Sequence, residues 1–340
     1  MELYGGIDLH SNNNVLALMN AAGERMYRRR LPNDLRTVKA ALAPYQQDLQ
    51  GIVVESTFNW YWLVDGLMEA GYRVHLANTT AIQQYSGLKY SDDDSDALFL
   101  AQLLRLGILP EGYIFPRAER GVRDLARKRA QLVRQRTANI LSIQTIVQRS
   151  AAVRLKGDRV KKLEVAELEP LVGSAEVAMA VEANLQVSQC LEQQISRLEK
   201  AILERVSLRK EFAVLKSIPG VGNILAITIM LEAGPITRFE RVGNFSSYCR
   251  CVGSKWLSNG KKKGQGNVKS GNRYLAWAFV EAANFAVRYS APIGRFHQRK
   301  KAKTNGVVAI KAVAHKLARA AYHMLGTQKK FEVTMAFGGD

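Results

Sequence analysis

Residues 2–10, ELYGGIDLH, decide the fold. The run is mostly apolar between its polar ends, it carries two adjacent glycines, and it holds one internal acid, Asp8, where a buried strand would ordinarily hold none. Working outward, residues 14–20 (NVLALMN) and 25–31 (RMYRRRL) read as two more strands, joined by the turn-rich HSNNN and AAGE. A three-strand meander is therefore expected. Residues 34–46 (DLRTVKAALAPYQ) predict a helix with Asp34 as its N-cap, and residues 50–57 (QGIVVEST) a short β-branched strand of the kind buried in a sheet. A helix over 59–71, a strand over 72–78 and a helix from about Ser91 to Leu106 complete the segment.

The order β-β-β-α-β-α-β-α is that of the RNase H-like, or RuvC-like, fold. It makes the strand bearing Asp8 a neighbour of the strand ending in Glu55, with Asp8 expected near the middle of its strand. In SDDDSDALFLAQLL (91–104), Asp93 and Asp96 lie three apart and project the same way from a helix, whereas Asp92 and Asp94 project elsewhere. The four acids Asp8, Glu55, Asp93 and Asp96 can thus converge. Two carboxylates about 4 Å apart repel by on the order of 4 kcal/mol at an effective dielectric near 20. One or two Mg²⁺ ions, with Mn²⁺ as a substitute, would relieve that repulsion, and metal among carboxylates is the equipment of phosphodiester chemistry. Singly, each acid has a plainer reading: Asp93 and its neighbours suit a helix N-terminus, Asp8 a strand end, and Glu55 a strand-to-helix turn.

The 340-residue chain is 47% hydrophobic, enough to fill the cores of two domains, with a formal charge of +19 and a pI near 9.9. The charge is unevenly spread. Residues 1–110 hold nine Lys/Arg against twelve Asp/Glu, so the remaining 230 residues carry 40 against 18. Between Glu240 and Glu281 there is no acid at all, while Lys261, Lys262, Lys263, Lys269 and Arg273 all fall there. A one-sign stretch predicts contact with phosphates, against the alternative of a basic loop kept for solubility. Cys190, Cys249 and Cys251 cannot form a disulfide framework and lack further zinc ligands nearby, so they read as packing residues in a reducing compartment. Glu2 stands where a signal peptide would be basic, and no segment approaches a membrane span. A cytoplasmic or nucleoid-associated protein is expected.

Three segments follow: an α/β domain over 1–110, a basic helical and coiled-coil-like segment over 111–208, and a mainly helical domain over 209–340. In the second, Arg127, Lys128 and Arg129 are candidate nucleic-acid contacts, and Leu191, Ile195, Leu198 and Ile202 form a four-three-four seam that suits an intramolecular hairpin or a dimer equally. The third opens with LKSIPGVGNILAITIMLEAG (215–234), where Gly220 and Gly222 fit a helix-hairpin-helix turn that offers amides to a phosphate.

Through GIDLH, VVEST, SDDDSDA, SIPGVG, FSSYCRCVGSKWLSNGKKKGQGN and KSGNRYLAWAFVEAANFA, the chain resembles the insertion-sequence-110 group of DEDD transposases, over nearly its whole length. The resemblance implies that the DEDD set binds metal and that a serine in the C-terminal transposase domain attacks DNA and becomes covalently joined to it. The matching residue is Ser258 in WLSNGKKKG, with Ser254 and Ser270 as rivals in sequence. By residue type alone Ser258 is a turn residue before Asn259 and Gly260. The resemblance also implies element ends and target DNA as substrates, an element-encoded structured noncoding guide RNA, and dimers that pair into tetramers. The alternatives are a RuvC-type nuclease or junction resolvase using water, and a non-catalytic nucleic-acid-binding scaffold. One departure is Trp60, where the family commonly has tyrosine.

Overall fold

The computed structural model describes residues 1–82, 93–253, 256–264 and 270–338, without the side chains of residues 93, 94, 256, 257 and 262. Two compact units result, Met1–Arg117 and Ala118–Asp340.

In the first, strands β1 (Leu3–Leu9), β2 (Asn13–Asn20) and β3 (Arg25–Pro32) form the antiparallel meander. Helix α1 (Leu35–Leu42) follows, and the Asp34 side chain accepts from the Thr37 amide as its N-cap. Next come β4 (Leu49–Glu55), α2 (Tyr61–Glu69), β5 (Val74–Ala77), α3 (Asp93–Arg105) and the short β6 (Glu111–Gly112). The sheet order is β3-β2-β1-β4-β5-β6, with β1, β4 and β5 parallel. Alternation sorts the side chains to two faces. Ile7, Leu9, Leu16, Leu18, Ile52 and Val54 share a core with α1 and α2, whereas Val15, Ala17 and Val53 face α3 through Ala97 and Leu100.

The second unit begins along α4 (Arg117–Ala151) and continues through α5 (Gly157–Val160), α6 (Leu168–Val172) and α7 (Ala175–Val206). Arg129 pairs with Glu199 and Arg136 with Glu192. The pairing advances seven residues along α4 while retreating seven along α7, so the two long helices are an antiparallel hairpin. Ile195 and Ile202 of the seam are buried within the chain. At one end of the hairpin, Ile140, Ile143 and Val147 pack on Val181 and Leu185 over a small core closed by Val160, Leu163, Leu168 and Val172.

The main core is built by α8 (Lys210–Leu215), α9 (Asn223–Ala233), α10 (Val242–Tyr248), α11 (Arg273–Tyr289), α12 (Ala291–Lys303), α13 (Gly306–Thr327) and α14 (Val333–Phe337), and a two-stranded ribbon of β7 (Trp256–Ser258) and β8 (Lys261–Gly264) stands between α10 and α11 in the chain. Alanines at 278, 282, 283, 286, 314, 318 and 321 are buried, small enough for α11 and α13 to lie close together. No helix among the described residues is long and apolar enough to cross a membrane.

Candidate active site

The register of β1 and β4 pairs Ile7 with Val54, so the next residue on each strand is Asp8 and Glu55. They stand side by side at the C-terminal ends of parallel strands, on the face covered by α3. Asp8 is thus the penultimate residue of β1 and not at its middle. The fourth member of the set depends on Gly6. A Cβ at Gly6 would lie 2.0 Å from the Ala97 carbonyl oxygen and 2.8 Å from the Ala101 amide nitrogen. Only a bare backbone lets α3 cross β1 this closely, and the crossing carries Asp96, one residue before Ala97, to the strand ends.

Asp8, Glu55 and Asp96 line one cavity of about 270 Å³, with Thr79, Ile82, Phe99 and Leu100 as its other walls. Asp8 is buried, at 5% exposure. Burial, a hydrogen bond to Asp8 and the negative charges of Asp8 and Asp96 together raise the Glu55 pKa to about 7. Below about pH 7 the Glu55 carboxyl therefore carries a proton, which it shares with Asp8 through that hydrogen bond. Asp93 begins α3, but its side chain lies outside the described residues. Among the described residues, no group of three or more His, Cys, Asp or Glu is arranged as around a metal ion. The donor chemistry nevertheless fits a hard divalent cation: all three acids are oxygen donors, and a cation would replace the shared proton.

His10 was not singled out by sequence. Its Nε2 lies 3.3 Å from Asp8 Oδ2, and its carbonyl accepts from the side-chain amides of Asn33 and Asn59. The available signal was its position two residues after Asp8, which the strand period places on the same face. Trp60, just before α2, meets Tyr61 edge-on with ring centroids 4.6 Å apart and packs against the strand core.

In the second unit, Ser258 ends β7 and pairs with Lys261. Between them Asn259 (φ 49°) and Gly260 (φ 72°) both take left-handed backbone, the signature of a two-residue hairpin turn. Ser258, Lys261 and Lys263 are exposed; the Lys262 side chain and all of Ser254 and Lys269 lie outside the described residues. Gly220, at φ 80°, sits against α11, where a Cβ would come within 2.5 Å of Phe285 Cβ, while Gly222 is exposed just before α9.

The three cations at 127–129 divide. Arg127 donates twice to buried Glu232 (2.6 and 2.8 Å), and Arg129 donates to Glu199 at 2.7 Å. Lys128 is exposed and donates to Gln131. Glu232 also receives Arg123 at 3.0 Å and the Asn272 side chain at 2.7 Å. Asn272 in turn caps α11 by accepting from the Tyr274 and Leu275 amides. The Tyr274 ring carries guanidinium groups of both Arg127 and Arg273 within 5.0 Å of its centroid. Glu232 thus ties α4 and α9 to the start of α11. Burial pushes the thiols of Cys249 and Cys251 upward, the latter to about 12, which keeps them inert; Cys190, unlike the packing residue expected, is exposed on α7.

Comparison with known proteins agrees at both ends of the chain. Residues 5–151 match a DEDD transposase family model of the IS110 group, described as "Transposase", and residues 213–324 match one described as "Transposase IS116/IS110/IS902 family". A protein of Sinorhizobium fredii (strain NBRC 101917 / NGR234) named transposase y4qE is 23% identical over 342 residues, covering 97% of this chain and 83% of that protein. The transposase for insertion sequence element IS1111A of Coxiella burnetii is 26% identical over 178 residues, covering 50% of this chain and 48% of that protein. With both family models matched in order along one chain, and transposases among its relatives, this protein belongs to the IS110 family of insertion-sequence transposases.

Proposed function

We propose that this transposase cuts and rejoins DNA through a covalent phosphoserine intermediate, with Asp8, Glu55, Asp93 and Asp96 holding divalent metal in an RNase H-like domain. The observation that supports the reading is the meeting of Asp8, Glu55 and Asp96 on one cavity. Mg²⁺ held there would supply charge stabilisation to a phosphodiester under attack. In the reaction, the Ser258 hydroxyl forms an O–P bond as the bond to a deoxyribose oxygen breaks; the serine loses its proton and the leaving oxygen gains one. Reversal by a different deoxyribose hydroxyl rejoins the strand and frees the serine. An exposed serine at the tip of a basic ribbon supports the role, because Lys261 and Lys263 place cations beside it without occluding it.

The helix pair α8 and α9, joined through Gly220 and Gly222, supports backbone contact to DNA phosphates as a helix-hairpin-helix. Lys128 and Arg273, both exposed, support further phosphate contacts. The family resemblance supports a structured guide RNA and assembly as dimers or tetramers.

The test is a denaturing gel of the chain incubated with target DNA, the element's transcribed noncoding RNA and Mg²⁺. A DNA-linked protein band that disappears in both Ser258→Ala and Asp8→Ala is expected. Cleavage undiminished in Ser258→Ala would instead assign the acids to hydrolysis by water.

A further inference from the structure

From residue 282 to residue 331 there is no Asp or Glu, and eleven residues are Lys or Arg. Helices α11, α12 and α13 share that stretch, and between them lies a cavity of about 510 Å³ whose polar lining is Asn284, Arg288, His297, Lys301 and Lys311. No acid is among the described residues that line it. Arg288, Lys301 and Lys311 are exposed. His297 differs: it is 9% exposed, and neither ring nitrogen has a hydrogen-bond partner among the described residues. An imidazole always carries at least one N–H, and a buried donor left without an acceptor is rare in folded proteins. The cavity also reaches Gly306 and Val307, the first two residues of α13, a 22-residue helix. Asn305 caps that helix by accepting from the Val308 amide at 2.9 Å, which leaves the amides of Gly306 and Val307 at its positive end.

Three cations, one buried donor without an acceptor and a helix N-terminus converging on an acid-free cavity describe a receptor for a tetrahedral oxyanion. We infer that this cavity binds a backbone phosphate of duplex DNA, through residues that belong neither to the acidic cavity nor to the serine ribbon. A polyanion fits better than a free ion because α12 and α13 also line a second basic groove, with Arg299, Lys300, Lys303 and Lys316. The inference rests on the reading of this chain as a protein that acts on DNA. It needs no metal and no covalent step, so its failure leaves those parts of the reading standing.

The experiment is fluorescence anisotropy with the full chain and a labelled 20-base-pair duplex of arbitrary sequence, over a salt series and without divalent metal. Each phosphate neutralised contributes about 0.9 to the log–log salt slope, and Lys301 and Lys311 share one phosphate, so Lys301→Gln/Lys311→Gln should lower the slope by about 0.9. At moderate salt its affinity should fall tenfold or more. His297→Phe, which keeps the ring volume and removes the donor, should weaken binding several-fold with the slope unchanged. Lys329→Gln/Lys330→Gln, in the same acid-free stretch but outside the cavity, should change neither. Thermal melts establish that each variant is folded. The inference is overturned if the first variant keeps the wild-type slope, or if the control pair lowers it as much. It is also overturned if the losses occur on a structured RNA hairpin alone, which would make RNA the ligand. Inorganic phosphate that raises the melting temperature only when His297 is present, with duplex binding unaffected in every variant, would make the cavity a free-anion site and equally end the proposal.

Discussion

Replacing Gly6 by alanine tests how the acidic cavity is assembled, because one methyl group there opposes the approach of a whole helix. The new Cβ would lie 2.0 Å from the Ala97 carbonyl oxygen, and ordinary contact begins at 3.4 Å, so α3 must retreat by about 1.4 Å or β1 must bend. Both obstacles are backbone atoms, which cannot rotate away as a side chain can. Overpacking of this kind costs roughly 1–3 kcal/mol, or a fall of roughly 4–12 °C in melting temperature for a unit of this size. The functional loss should exceed what stability explains, since Asp96 rides on α3 beside Ala97, and misplacement of a reacting group by about 1 Å costs on the order of 100-fold in rate. The assay is formation of the covalent DNA adduct, measured well below the variant's melting temperature. Gly5→Ala is the control: on the opposite face, its Cβ meets the side chains of Ile52 and Leu18 at 3.2 and 3.3 Å and the Gly51 carbonyl oxygen at an ordinary 3.6 Å. Adduct formation by Gly6→Ala within twofold of wild type, or equal losses in the two variants, would refute the claim that close crossing of α3 positions Asp96.

Other perturbations have equally definite outcomes. Glu232→Ala removes the buried carboxylate that Arg123, Arg127 and Asn272 share, and urea unfolding should report a loss of about 3–5 kcal/mol; a loss below 1 kcal/mol would contradict the hub. Desolvation pushes the Glu232 pKa up, but hydrogen bonding and charge from Arg127 and Arg123 outweigh it, and the net shift is downward from 4.5. Stability from this group is therefore present above pH 4.5 and lost as pH falls below it, so acid unfolding of Glu232→Gln should be shallower than that of wild type. Glu55 has the opposite sign. Its folded pKa of about 7 lies above 4.5, so its contribution is complete below pH 4.5 and lost as pH rises through 7. Without divalent metal, wild type should melt lower at pH 8 than at pH 6, and Glu55→Gln should show a smaller drop; identical drops would argue against the shared proton. For the helical hairpin, Arg136→Glu should lower stability and Glu192→Arg in the same chain should restore part of it, as the ion pair between α4 and α7 requires.

The strands and helices of the first unit were legible because hydrophobic alternation and turn residues agree there, and the parallel neighbours Asp8 and Glu55 follow once that order is accepted. What placed Asp96 was not legible. A glycine in a strand announces close approach without saying of what, and the answer lies 91 residues away in Ala97. Charge misled in a different manner. Arg127 and Arg129 look like free cations in a basic helix, yet their partners Glu232 and Glu199 lie 105 and 70 residues further along the chain. A tally of charge cannot distinguish a guanidinium bound to an internal carboxylate from one facing solvent. The seam of Leu191, Ile195, Leu198 and Ile202 was ambiguous for a related reason, since its repeat fixes the face of α7 but not its partner; the charge pairs to α4 settle the direction. His297 carries no motif, and its interest arises only from three helices converging around it.

The account depends most on the acidic cavity being a metal site. Isothermal titration of Mn²⁺ or Mg²⁺ into the full chain at pH 6.5, repeated in two buffers of different ionisation enthalpy, measures both binding and the protons it displaces. Saturable binding with release of up to one proton is expected, and both should vanish in Asp8→Asn/Glu55→Gln. Absence of saturable binding to wild type, or binding of the same strength and proton count in the double variant, would contradict the account.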